Sequence, residues 1–70
     1  MELKLGKYRH FKGGEYRLLG IATHSETMEN MVVYQALYGE RGLWVRPAAM
    51  WTEIVDKEGY HGPRFVYVEE

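Results

Sequence analysis

Apolar and polar residues alternate along this chain with the two-residue period of strands, and no long stretch repeats with the period of a helix. The segments "KYRHF" and "EYRLLGIATH" are rich in aromatic and aliphatic residues and flank Gly13-Gly14. That pair suits a two-residue turn, because both positions can take positive φ without a Cβ clash. A β-hairpin is therefore expected, with Lys12 facing Glu15, Phe11 facing Tyr16, Arg9 facing Leu18 and Tyr8 facing Leu19. Cross-strand pairs such as the first two contribute about 0.2–1 kcal/mol each. Strict alternation places His10 and His24 on opposite faces. Gly20 offers the other outcome: a bulge there would reverse the facing of everything after it. Phe11, Tyr16, Leu18 and Ile21 would then share the core side, with His10 and His24 together on the other.

After the polar connection "HSETMEN", the segments "MVVYQALY" and "LWVR" flank "GERG" as a second hairpin. Pairing Tyr38 with Leu43 puts Val32, Tyr34, Ala36, Tyr38, Leu43 and Val45 on a core side, and Gln35, Trp44 and Arg46 on the other. Pro47 opens "PAAMW" as one short helical turn, since its fixed φ suits the first helical position and its missing N–H costs nothing there. "TEIV" is a strand candidate, "DKEGYHGP" a loop, and "RFVYV" a last extended segment. Five to six short strands in so short a chain predict a mainly β fold, closed into a small barrel or roll that hides its edges.

Composition narrows this picture. The chain has 70 residues, 46% of them apolar and 14% aromatic, which is enough for one packed domain over 1–70 and too apolar for disorder. With no cysteine there is neither a disulfide framework nor a cysteine-based zinc site. "MELKLGKYRH" lacks the apolar core of a signal peptide, and no apolar run approaches the roughly 20 residues that span a bilayer. A cytoplasmic protein without a membrane partner is expected. The net charge of −1 argues against avid, sequence-independent binding to nucleic acid. Its distribution is uneven: residues 1–17 hold five basic and two acidic groups, net +3, and residues 18–70 hold four basic and eight acidic, net −4.

The stretches "YRHFKGGEYRLLGIATHSET", "VVYQALYGERGLWVRPAAMW" and "GPRF", in this order and spacing, resemble the domain of unknown function 1653 family of short bacterial proteins over nearly the whole chain. The resemblance implies an SH3-like barrel. It implies no established activity, cofactor or partner, and so carries no catalytic residues onto this sequence.

Residue chemistry excludes more than it assigns. His10, His24 and His61 lie far apart, with no short ligand pair, so no metal site is expected. "HSE" at 24–26 matches half of the zinc deaminase signature, but the cysteines that complete that metal shell are absent. His24 and Ser25 are sequence neighbours without the elbow that exposes a nucleophile, and Ser25 and Thr27 are better suited to capping a turn. The glycines follow no phosphate-loop order, and no cofactor is implied. The aromatic–basic set remains. Small barrels that bind single strands combine Arg and Lys contacts to phosphate with aromatic faces for stacking. Tyr8, His10, Lys12, His24, Trp44 and Arg46 are the candidate ligand-binding residues, with Arg46 and Lys12 for anionic groups, and Tyr8 and Trp44 for stacking or apolar walls. Competing readings have Tyr8 and Trp44 completing the core and Arg46 lying on Trp44 as a cation–π partner. The preferred function is a non-enzymatic binding module for single-stranded nucleic acid, a nucleotide-like ligand or a protein segment. Two alternatives stand beside it: a small enzyme using His10 and His24, with or without a divalent metal, and an assembly protein pairing through the edge of "RFVYV".

Overall fold

The computed structural model describes residues 3–69. The alternating segments form strands: β1 (Gly6–His10), β2 (Glu15–Thr23), β3 (Asn30–Ala36) and β4 (Leu43–Pro47), then helix α1 (Ala48–Trp51), then β5 (Ile54–Lys57), β6 (Tyr60–Pro63) and β7 (Phe65–Glu69). Five of them make one antiparallel sheet in the order β4-β3-β2-β1-β7, and β5 and β6 make a second, two-stranded one. The protein is thus mainly β with one short helical turn after Pro47, as the pattern predicts. The strands of the described residues number seven, above the expected five to six, because "DKEGYHGP" is not a loop. Lys57 pairs with Tyr60 across Glu58 and Gly59, whose φ values of +55° and +82° give the primed two-residue turn that matches strand twist.

Both long hairpins form, each with a register that differs from the expected one. In the first, Tyr16 pairs with Tyr8 and Glu15 with Arg9, a displacement of three residues from the pairing of Phe11 with Tyr16. His10 accepts a hydrogen bond from Gly13 N–H at 2.7 Å and donates one to Gly14 C=O at 2.7 Å. The connection is therefore a three-residue loop, with Gly13 at φ +108°, and not a Gly-Gly turn. Glu15 consequently pairs with Arg9 at 2.8 Å and Lys7 at 3.7 Å instead of with Lys12. In the second hairpin Leu43 pairs with Gln35 and Trp44 with Tyr34, again three residues from the expected pairing. An odd displacement exchanges the faces of a strand. Trp44 and Arg46 accordingly share the face of Tyr34 and Val32, while Tyr38, Leu43 and Val45, expected in the core, are exposed.

The bulge signalled by Gly20 is present. Leu18 pairs with Tyr34 and Gly20 with Val33, which leaves Leu19 as the extra residue. It lets Leu18 and Ile21 lie on the same face, opposite the core residues Tyr34 and Val32.

The core lies on the face lined by Tyr8, Leu18, Val32, Tyr34 and Phe65, and α1 closes it with Ala48 and Trp51. Trp51 stacks on Phe65 with centroids 3.8 Å apart and planes within 6°, and Tyr8 meets it edge-on at 5.3 Å. Aromatic pairs of this kind add about 0.5–1.5 kcal/mol beyond area burial. The sheet curls strongly enough that Arg46 of β4 lies over the ring of Phe65 in β7, 5.5 Å from its centroid, although these strands are at opposite ends of the strand order. Among the described residues no helix is long and apolar enough to cross a membrane.

Candidate functional site

Residue 64 organises the end of the molecule where the first hairpin turns. Its N–H donates to Glu53 C=O at 2.8 Å, its C=O accepts from Phe11 N–H at 2.9 Å, and its guanidinium donates twice to one Glu53 carboxylate oxygen, at 2.9 and 3.2 Å. The loop after β1 is thereby pinned beside the start of β7. Phe11, set in that loop, stacks on Tyr60 of β6 at 5.4 Å with planes within 20°.

Three rings form a row from this point: Phe11 and His10 have centroids 4.7 Å apart, and His10 meets Phe65 edge-on at 5.0 Å. Cations sit at both ends of the row. Arg46 lies over Phe65, while Lys12 and Arg64 stand 5.8 and 5.9 Å from the centroid of Phe11. Beside it, Tyr16 packs edge-on against His10, Tyr34, Phe65 and Tyr38, and shares a hydroxyl–hydroxyl hydrogen bond with Tyr38. Tyr38 and Trp44 then line a cleft of about 240 Å³ at the β3–β4 connection.

The environment sets the protonation states. Burial, and then the positive charges of Arg64, Arg46 and Lys12, hold the His10 imidazolium below its usual pKa. His10 Nδ1 accepts the Lys12 backbone N–H at 3.1 Å, so the neutral ring carries its proton on Nε2 and presents it as a donor. Burial, with the Tyr38 hydroxyl next, pushes Tyr16 up to about 12. At neutral pH this surface presents neutral His10 and Tyr16 beside the cations Lys12, Arg46 and Arg64, with the Glu53 carboxylate paired to Arg64.

The six candidate residues are only partly brought together. His10, Lys12 and Arg46 join the aromatic row, and Trp44 shares the face of Arg46 with 60% of its surface exposed. Tyr8 does not join them: it is buried in the core, packed on Trp51 and Tyr67, and its hydroxyl donates to Lys4 C=O at 2.7 Å. His24 stands past the far end of β2 from His10, on the order of 30 Å away along the strand. Its Nδ1 accepts N–H groups of Glu26 and Thr27 at 3.2 and 3.3 Å, and Thr27 Oγ1 accepts the Glu29 N–H at 3.2 Å, so both serve that turn. The two-histidine enzyme loses its geometry with this separation, and the bulge does not bring the imidazoles together because His10 turns toward Phe65. Among the described residues no three His, Cys, Asp or Glu side chains cluster to hold a metal. Arg46 lies on Phe65 and not on Trp44.

Phe11, Tyr16, Tyr38, Arg64 and Phe65 were not legible as site residues. "GPRF" contained the signal for two of them, since consecutive strand residues can place a cation and an aromatic ring on adjoining surfaces. Phe11 and Tyr38 depend on loop conformations that no local pattern specifies.

Residues 6–67 match the model of a family described as "Protein of unknown function (DUF1653)". A solved structure, the crystal structure of a protein belonging to DUF1653 from Bordetella bronchiseptica, is similar to this chain at 42% identity and a TM-score of 0.88, over 96% of this chain and 88% of that one. No curated protein matches the chain.

Proposed function

Because the chain belongs to the DUF1653 family, whose description states no activity, we propose a function from its own residues: it is a cytoplasmic, non-enzymatic binding module that takes single-stranded nucleic acid on its aromatic–basic face. The whole chain acts as one SH3-like barrel, a reading supported by the curl that brings Arg46 of β4 over Phe65 of β7. The observation that carries the function is the row Phe11–His10–Phe65 with Arg46 at one end and Lys12 and Arg64 at the other. Single-strand binders need cations that follow the phosphates and rings against which bases stack; here cations flank both ends of the row, Phe11 and His10 are half-buried, and Phe65 is buried beneath Arg46. The exposed Trp44, two residues from Arg46 on the same face, supplies a further stacking surface. With few cations involved, binding is modest and falls with salt by a log–log slope of about one per phosphate contact, consistent with a net charge of −1.

Tryptophan fluorescence tests this directly, because Trp44 is exposed and Trp51 is buried. A short oligouridine should quench emission at low salt, and Trp44→Phe should remove the response. Arg46→Ala should weaken binding about three- to tenfold and lower the log–log salt slope by about one. Quenching that is absent at low salt, or indifferent to salt, would contradict the proposal.

A further inference from the structure

A second concavity adjoins the cationic row. It lies between the β1–β2 loop, β6 and β7 and measures about 520 Å³, within the range of small-ligand sites. Val66 and Val68 give it an exposed apolar floor, the stacked Phe11 and Tyr60 form an aromatic wall, and His10 and Arg9 stand at its polar margin. Val66 and Val68 point away from the core that their neighbour Phe65 enters, so packing does not account for them.

We propose that this cleft is the base-binding half of a nucleotide site, with the phosphate held by Lys12 and Arg64; the inference rests on the single-strand-binding reading and specifies its ligand unit as a 5′-nucleotide. Three observations converge on that class. Phe11 is shared, since the ring that walls the cleft is the one beside which Lys12 and Arg64 place their charges. His10 is shared too: it lines the cleft, belongs to the cationic row, and has Nε2–H free to meet a base acceptor once Lys12 N–H occupies Nδ1. The arrangement is also rigid, because Arg64 is tied through its backbone to both Phe11 and Glu53 and through its side chain to Glu53. Glu53 leaves only part of the Arg64 charge available, so Lys12, exposed and without a carboxylate among the ion pairs of the described residues, carries the larger share of phosphate contact. A simple anion would use the cations and leave the floor empty. A neutral apolar ligand would use the floor and leave the cations unanswered. A flat heterocycle joined to a phosphate uses both.

The test is a low-salt titration of labelled protein with adenosine 5′-monophosphate, with adenosine, and with inorganic phosphate, read by amide and methyl shifts. The monophosphate should bind about tenfold more tightly than phosphate and move Val66, Val68 and Tyr60 as well as Lys12 and Arg64. Phe11→Ala should reduce it to the phosphate level while phosphate binding stays within about twofold. Should that variant fail to fold, Val66→Glu, at an exposed floor position, should abolish the advantage of the monophosphate by placing a carboxylate in the cleft. Equal affinity for phosphate and monophosphate overturns the base pocket. If oligouridine nevertheless quenches Trp44, the binding face survives without this cleft; if it does not, both proposals fall together.

Discussion

The imidazole of His10 meets several constraints at once. The same ring sits against two phenylalanines, accepts a backbone N–H and faces three cations. Burial and those cations hold its pKa below the ordinary 6.5, whereas the unfolded chain takes up its proton at the ordinary value. A base depressed in the folded state contributes its full stability above about pH 6.5 and loses it as the pH falls below that point. Thermal unfolding should therefore show a falling midpoint from pH 6.5 toward the carboxylate range. His10→Asn, which can keep the acceptor for the Lys12 N–H as an Asx turn, should flatten that slope. An identical slope in the two proteins would show that His10 is not held neutral. Glu15 acts in a lower window. The Arg9 hydrogen bond and then the Lys7 charge hold its carboxyl below 4.5, so its contribution is present above that value and disappears only on further acidification.

At the scale of elements, hairpin existence was legible and hairpin register was not. Alternation located β1 to β4 and the helical turn after Pro47, but it says nothing about which of several loop lengths closes a hairpin. Gly13-Gly14 invites a two-residue turn, and the chain uses a three-residue loop because only Gly13 takes positive φ, at +108°. In the β3–β4 hairpin six residues from Leu37 to Gly42 separate the strands, and the tighter turn that alternation suggests would set Trp44 and Arg46 on the opposite face. The Leu19 bulge was anticipated from Gly20, because a glycine inside a strand is a local signal with a local cause. These two glycines behave differently under substitution. Gly13→Ala should cost about 1 kcal/mol or more through its φ, while Gly20, with open space where a Cβ would stand and no positive φ, should accept alanine with a gain of about 0.4–1 kcal/mol. Chemical denaturation measures both, and an equal loss at the two positions would contradict the turn assignment.

For the molecule as a whole, the fold class followed from patterning, while the site followed from curvature. No sequence signal places β4 against β7, yet Arg46 belongs to the candidate face only because the sheet bends until it reaches Phe65. Likewise Trp51, buried at the centre of the core, becomes the platform for Phe65 only once α1 closes the sheet. The tract 56–63, outside the recognisable motifs, supplies Tyr60 and hence one wall of the cleft. The edge position of β7 leaves room for the strand pairing that an assembly protein would use, but Phe65 at its start is committed to the core and the aromatic row.

The cationic row, as proposed, is a binding face for single strands. Its most direct test is an amide NMR titration of labelled protein with a mixed short single-stranded RNA at low and at moderate salt. Shifts should cluster on His10, Lys12, Trp44, Arg46 and Arg64 and weaken as salt rises, with His24 and its turn unmoved. Absence of clustered shifts at low salt, or a cluster centred on the His24 turn, would contradict it.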